Sequence, residues 1–265
     1  MAKAATPVRI GVLGAGGRMG REVIVAIRSL AEAALAGGVE HADHPCVGTK
    51  LDEGHVVGAN TLALAHAAQV LIDFTDPASL IANLDAAMSA GCAIVVGTTG
   101  LEPGHHAAID QAARHIAVLA AANMSLGVNL LAGLVRDAAA RLPGWDIELL
   151  ELHHGMKADA PSGTALMLAD AVAVGRQGGA QVRDRASRPA RRQAGEIGIA
   201  TLRGGTSAGE HEVWLLGPGE RIELNHRAES RAIFAQGALR AALWLAGRPP
   251  GRYAMADVLG FVSPG

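Results

Sequence analysis

The chain has 265 residues, half of them hydrophobic, with 34 glycines, 3% aromatics and a formal net charge of −2. That length and hydrophobicity exclude a disordered chain and suit one large domain or two modest ones, and the near-neutral balance gives no basic surface for nucleic acid or an anionic membrane. An aliphatic, glycine-rich core favours α/β architecture and a small-molecule partner.

Met1 to Arg9 lacks the apolar core of a signal peptide, and no stretch approaches the roughly 18 apolar residues of a membrane span, so the expected location is cytoplasmic. Val8 to Leu13 is a short apolar run, followed by a glycine loop and a helical pattern over Arg18 to Ala34, which reads as strand, turn, helix. Val70 to Phe74 reads as a buried strand, after which Asp76-Pro77 supplies a helix cap and first-turn proline for a helix ending near Gly91. Cys92 to Val96 is the next strand, and a helix over Gly104 to Arg114 leads into an aliphatic run, Ile116 to Ala121. This alternation argues for a parallel sheet with helices on its faces, a Rossmann-like dinucleotide domain.

The pattern changes after Asn123. A helix over Leu126 to Leu142 stops at Pro143-Gly144, and strand-like runs follow at Trp145 to His153, Ile197 to Arg203, Glu212 to Leu216 and Arg221 to His226. These predict a second, α+β domain with a mixed sheet, and Gly175 to Gln193 reads as the loosest segment. A last helix, Ser230 to Ala246, returns to the first domain, giving expected boundaries of 1–124 completed by 231–265, and 125–230. No internal repeat is visible. Cys46 and Cys92 stand apart without metal-ligand spacing and read as reduced thiols, and no metal site is expected.

Three stretches carry chemistry. Gly14-Ala15-Gly16-Gly17-Arg18-Met19-Gly20 allows a tight turn and close backbone approach to a pyrophosphate at a helix N-terminus, with Gly20 one position beyond the usual third glycine. Glu40, at the end of a possible second strand, could accept hydrogen bonds from an adenosine ribose, although an exposed loop carboxylate looks the same in sequence. Gly97-Thr98-Thr99-Gly100 ends a buried strand where ligands bind in open α/β sheets. The densest group runs from Glu151 to Ala165: His153, His154 and Lys157 bring a group titrating near neutral pH and cationic partners, and Ser162-Gly163-Thr164 opens a helix able to hold a carboxylate. A zinc site is the rival reading. Adjacent strand histidines point to opposite faces and Lys157 opposes a cation, which disfavours it; two surface histidines beside a capped helix is the bland one.

Together with Ala121-Ala122-Asn123, Ser125, Gly127-Val128-Asn129, Gly209-Glu210-His211 and Ser230-Arg231, these motifs resemble, in order, the 4-hydroxy-tetrahydrodipicolinate reductase family of bacterial diaminopimelate and lysine synthesis. The resemblance implies an NAD(P)H-dependent oxidoreductase that reduces a heterocyclic dicarboxylate with loss of water. It implies a cofactor site at Gly14, Ala15, Gly16, Gly17, Arg18, Met19, Glu40, Gly97, Thr98, Thr99, Ala121, Ala122, Asn123 and Met124. His153 becomes the proton donor and Lys157 its assistant, with His154, Gly163 and Thr164 on the substrate carboxylates and Ser162 at the same helix start. A homotetramer built through the second domain is also implied.

Two departures stand out. His41 follows Glu40 where relatives that use both cofactors well commonly carry arginine, so NADH is expected to be used at least as well as NADPH. Met124 stands where some relatives carry phenylalanine, a packing change. The rival functions are another two-domain amino-acid dehydrogenase, such as one acting on aspartate, and a non-catalytic dinucleotide-binding redox sensor. The first does not account for the run from His153 to Thr164, and the second has no need of His153 and Lys157.

Overall fold

The computed structural model describes residues 6–187 and 190–261. In chain order it forms β1 (Val8–Leu13), α1 (Arg18–Arg28), β2 (Ala33–Val39), β3 (Val57–Gly58), α2 (Thr61–Ala67), β4 (Val70–Asp73), α3 (Pro77–Ala90), β5 (Ala93–Val96), α4 (Pro103–Ala112) and β6 (Ala117–Ala120). There follow α5 (Leu126–Arg141), β7 (Asp146–His153), α6 (Gly163–Arg176), β8 (Gln181–Val182), β9 (Ile197–Arg203), β10 (Glu210–Gly217), β11 (Glu220–Arg227), α7 (Ala232–Leu245), β12 (Gly251–Tyr253) and α8 (Met255–Val258). Within the described residues the chain divides into two compact units, 6–125 with 232–261, and 126–231. No helix among them is long and apolar enough to cross a membrane.

The first unit is a seven-stranded sheet in the order β12-β6-β5-β4-β1-β2-β3, with every pair parallel. Parallel strands are covered on both faces, which is why β4 and β5 are apolar throughout apart from Asp73. Leu71, Ile94 and Val118 pack with Leu80, Leu84 and Ile109 from α3 and α4. The alternate residues Ile72 and Val95 are equally buried, and α7 packs on β4, β5 and β6. Each such side chain removed from water contributes about 1.5–3 kcal/mol. The order of strands reverses between β1 and β4, so a crevice opens at their carboxyl ends, where open α/β sheets bind ligands.

The second unit is a mixed five-stranded sheet, β11-β10-β7-β9-β8, with β10 antiparallel to both neighbours and β7, β9 and β8 parallel. On β7 the buried residues Ile147, Leu149, Glu151 and His153 alternate with partly covered ones, and Ile147 and Leu149 pack with Leu131 and Val135 of α5 and Leu168 and Val172 of α6. The burial rhythm of two thus places Glu151 and His153 on the face that meets the helices.

The helix expected over 18–34 is shorter than the sequence suggested. It ends at Arg28, and residues 33–39 form β2 alongside β1. Ala33-Ala34-Leu35-Ala36 has good helix propensity, but pairing with the buried edge of β1 outweighs it. Gly175 and Arg176, read as part of a loose segment, close α6, and Gln181–Val182 add an edge strand. Residues 188–189 of that segment, and 262–265 of the returning C-terminal stretch, lie outside the described residues. The elements α2, β3, β12 and α8 are short and carry no periodic signal of their own.

Candidate functional site

In the first unit the glycine loop joins β1 to α1. Gly14 adopts a positive φ of 76°, and its carbonyl receives the Gly17 N–H at 3.0 Å. A Cβ on Gly20 would collide with that same carbonyl, so Gly20 performs the close helix-to-turn packing expected of the third glycine. The N–H groups of Gly14 and Ala15 are already given to Val39. Because α1 starts at Arg18 and its first bond is Arg21 N–H to the Gly17 carbonyl, the open donors are those of Arg18, Met19 and Gly20. Gly17 caps the helix without a side-chain bond. This cradle fits a pyrophosphate.

Glu40 stands directly after β2. Its Oε2 accepts the Gly16 N–H at 2.9 Å and its Oε1 the His41 N–H at 3.2 Å, so the carboxylate is fixed beside the glycine loop. His44 and Cys46 approach it closely enough that the three could hold a metal ion. Arg21, Arg28 and Lys50 line a cavity of about 250 Å³ with Gly16 and Cys46, and that positive lining opposes a cation there.

Asp73, at the carboxyl end of β4, is fully buried. One oxygen accepts from the Thr75 N–H (2.8 Å), the Thr75 hydroxyl (2.6 Å) and the Thr98 hydroxyl (3.4 Å); the other accepts from Asn83 (3.0 Å). Burial raises its pKa in spite of these bonds. Asp73 thus joins Thr75 and Asn83, and reaches the 97–99 loop through the Thr98 hydroxyl and, by its own carbonyl, the Gly97 N–H at 2.8 Å. Gly97 is demanded by the Phe74 ring, which a Cβ would strike. Thr98 is buried and Thr99 exposed. Ala121 takes its place through its N–H to Val96 at 3.1 Å, Ala122 is exposed, and Asn123 accepts the Ser125 N–H at 2.8 Å. Met124 is buried and belongs to the core.

In the second unit the register of three adjacent strands builds a polar cluster. Glu151 of β7 lies opposite Thr201 of β9 on one side and His211 of β10 on the other. Its carboxylate is fully buried and accepts four bonds from three residues: His153 Nδ1 at 2.5 Å, both terminal nitrogens of Arg203 at 2.9 Å, and the Ser162 N–H at 3.1 Å. Burial alone would raise the Glu151 pKa, but the bonds from Arg203, His153 and Ser162 outweigh it and hold it below the usual value. For His153, burial dominates and lowers the pKa, with Glu151 pulling upward and Lys157 and Arg203 downward. Because Nδ1 faces Glu151, Nε2 is the atom left for proton transfer.

His211 meets the His153 ring edge to face at 5.2 Å and contacts the Ser162 hydroxyl through Nε2 at 3.2 Å. Burial pushes its pKa down to about 4, so it is neutral near pH 7. Glu151, His153 and His211 come within metal-binding reach, but Arg203 already neutralises the carboxylate. Ser162 caps α6 by accepting the Ala165 N–H at 3.1 Å. Gly163 is exposed, with open space where a Cβ would stand, so the helix start is accessible to an anion. Lys157 pairs with Asp159 at 2.8 Å, and the backbone of His154 is tied to Ser207 at 2.9 Å. The structure thus joins Glu151, Arg203 and His211 to the histidine and helix start that the motif pointed to. Glu151 had appeared only as the first residue of the motif, and the other two only in passing.

Two family models match in tandem: "Dihydrodipicolinate reductase, N-terminus" over residues 8–124 and "Dihydrodipicolinate reductase, C-terminus" over 127–259. The chain is 49% identical over 261 residues to a protein named 4-hydroxy-tetrahydrodipicolinate reductase from Zymomonas mobilis, covering 96% of this chain and 97% of that one. It is 48% identical over 261 residues to 4-hydroxy-tetrahydrodipicolinate reductase 1 of Mesorhizobium japonicum, covering 94% and 96%. The fold is similar to that of a dipicolinate-bound dihydrodipicolinate reductase from Paenisporosarcina, with a TM-score of 0.79 at 21% identity, covering 95% of this chain and 99% of that one.

Proposed function

The chain belongs to the dihydrodipicolinate reductase family, and from that premise we infer that it reduces 4-hydroxy-tetrahydrodipicolinate to tetrahydrodipicolinate, with loss of water, in diaminopimelate and lysine synthesis. The observation that carries the mechanism is the buried Glu151–His153 pair beside the open start of α6. The reduced nicotinamide, when bound, supplies the hydride. We assign its pyrophosphate to the α1 start, its adenosine ribose to Glu40, and the reacting end to the loops 97–99 and 121–124.

Within the second unit, Lys157, His154, Thr164 and the N–H groups after Ser162 hold the two substrate carboxylates. His153 holds a proton at Nε2 when charged and delivers it to the ring as the hydride arrives. A dianionic substrate stabilises the imidazolium, so binding raises the His153 pKa toward the working pH and offsets the lowering caused by burial. The direct test follows NADH and NADPH absorbance with enzymatically generated 4-hydroxy-tetrahydrodipicolinate. Consumption of neither would sink the assignment.

The same assay addresses cofactor choice. Glu40 favours a free 2′-hydroxyl and repels a 2′-phosphate, and His41 is a weak counter-charge, so NADH should be used at least as efficiently as NADPH. His41→Arg should move the kcat/KM ratio toward NADPH. A strong NADPH preference in the parent protein would contradict this and point to Arg18 or Lys50 as the phosphate partner.

Assembly is proposed through the second unit. The side of its sheet turned away from α5 and α6 carries half-buried Leu150, Leu152, Trp214 and Leu216 and exposed Leu202, an apolar face suited to another copy. Light scattering should give the mass of four chains, and a monomer would refute it.

A further inference from the structure

Glu151 is a costly residue to place where it is. A fully buried carboxylate in an otherwise aliphatic layer is tolerated only with charge and hydrogen-bond compensation, and its four donors come from three separate parts of the chain: β7, β9 and the start of α6. Simple neutralisation of Arg203 would need no bond to His153 or to Ser162.

We propose that Glu151, clamped by Arg203, is the positioning residue of the site, fixing the His153 ring through Nδ1 and the anion-binding start of α6 through the Ser162 N–H. One carboxylate thereby sets the distance between the proton donor and the point where the substrate is anchored. It also dictates the tautomer: with the Nδ1 proton held by Glu151, neutral His153 presents a bare Nε2, and the ring donates from Nε2 only as the imidazolium. Arg203 keeps Glu151 ionised and, through a further bond to the Asp159 carbonyl at 2.5 Å, ties the 154–161 segment carrying Lys157 to the same clamp. The charged and titratable groups around His153 are Glu151 on its own strand, Arg203 on β9, His211 on β10 and Lys157 on the following loop. Of these only Glu151 favours the imidazolium.

The proposal rests on His153 being the proton donor, and the experiment separates the two. In the parent protein, nitrogen NMR of His153 above its titration should find the proton on Nδ1; a proton on Nε2 overturns the proposal without any variant. Glu151→Gln should lower turnover by about 10²-fold and move the apparent pKa of the kcat/KM profile downward by about one unit. It should also weaken binding of pyridine-2,6-dicarboxylate by about tenfold, because the bond that anchors the α6 start loses its charge. Should Glu151→Gln fail to fold with Arg203 left without its counter-ion, the double change Glu151→Gln with Arg203→Met removes that unpaired charge. It should fold and remain about as slow. Parent-like turnover and an unmoved pH profile in either variant overturn the positioning role while His153→Gln is inactive; an active His153→Gln instead removes the proton-donor reading.

Discussion

Replacing His153 with Gln should lower turnover by about 10²–10⁴-fold with cofactor affinity little changed. Gln keeps the size and can still hydrogen-bond Glu151, but it carries no proton that titrates. The glycine loop and Glu40 lie in the other unit and do not include His153, which is why NADH binding serves as the internal control. The pH dependence follows from the direction of the shift. Burial lowers the His153 pKa from 6.5, so in the free enzyme the imidazolium is populated only as pH falls through a value below 6.5. The kcat/KM profile should therefore rise toward acid with that apparent pKa. The kcat profile should show a higher one, since bound dianion favours the charged ring. Near-parent turnover in His153→Gln, or a kcat/KM profile flat across that range, would move the proton to another group.

Lys157→Met should lower turnover by about tenfold or more and weaken the substrate, while Thr164→Val should act mainly on binding. A charge-assisted contact is typically worth about 1.5–3 kcal/mol, or roughly one to two powers of ten. Lys157 is a cation that can polarise the ring as charge develops, whereas the Thr164 hydroxyl contributes only a neutral bond. The hydrogen bond from Lys157 holds the Asp159 pKa below its usual value, and a substrate carboxylate has to compete with that partner. Pyridine-2,6-dicarboxylate isolates the binding term because it carries both carboxylates and nothing to reduce. It should compete with substrate and bind both variants less tightly. Unchanged inhibition in both would place the anion site elsewhere, near Arg203 or Arg231.

Local chemistry made much of the molecule legible. The Asp76-Pro77 start of α3 carries its cap in two adjacent residues, and the structure has the Asp76 side chain accepting the Ser79 N–H at 3.0 Å. The aliphatic runs that became β4, β5 and β6 read as strands buried on both faces, and the run from His153 to Thr164 carried the resemblance that names the reaction. These signals sit within a few residues of one another, and backbone preference or burial alone writes them. By itself the sequence determined the parallel sheet with its glycine turn, the change to a mixed sheet after Asn123, and the residue types of an acid–base and anion site.

What only the tertiary structure decided depends on residues far apart in the chain. Glu151 meets Arg203 52 positions away because β7 and β9 pair in one register, and Ser162 meets His211 49 positions away because β10 pairs on the other side of β7. No local periodicity encodes such a pairing. The same reason explains β2, where the edge of β1 took a stretch that propensity alone would have left helical. Side-chain chemistry was readable in order along the chain. Its assembly into a positioned proton donor required the hydrogen-bonded register of strands, which is fixed by burying a whole face at once.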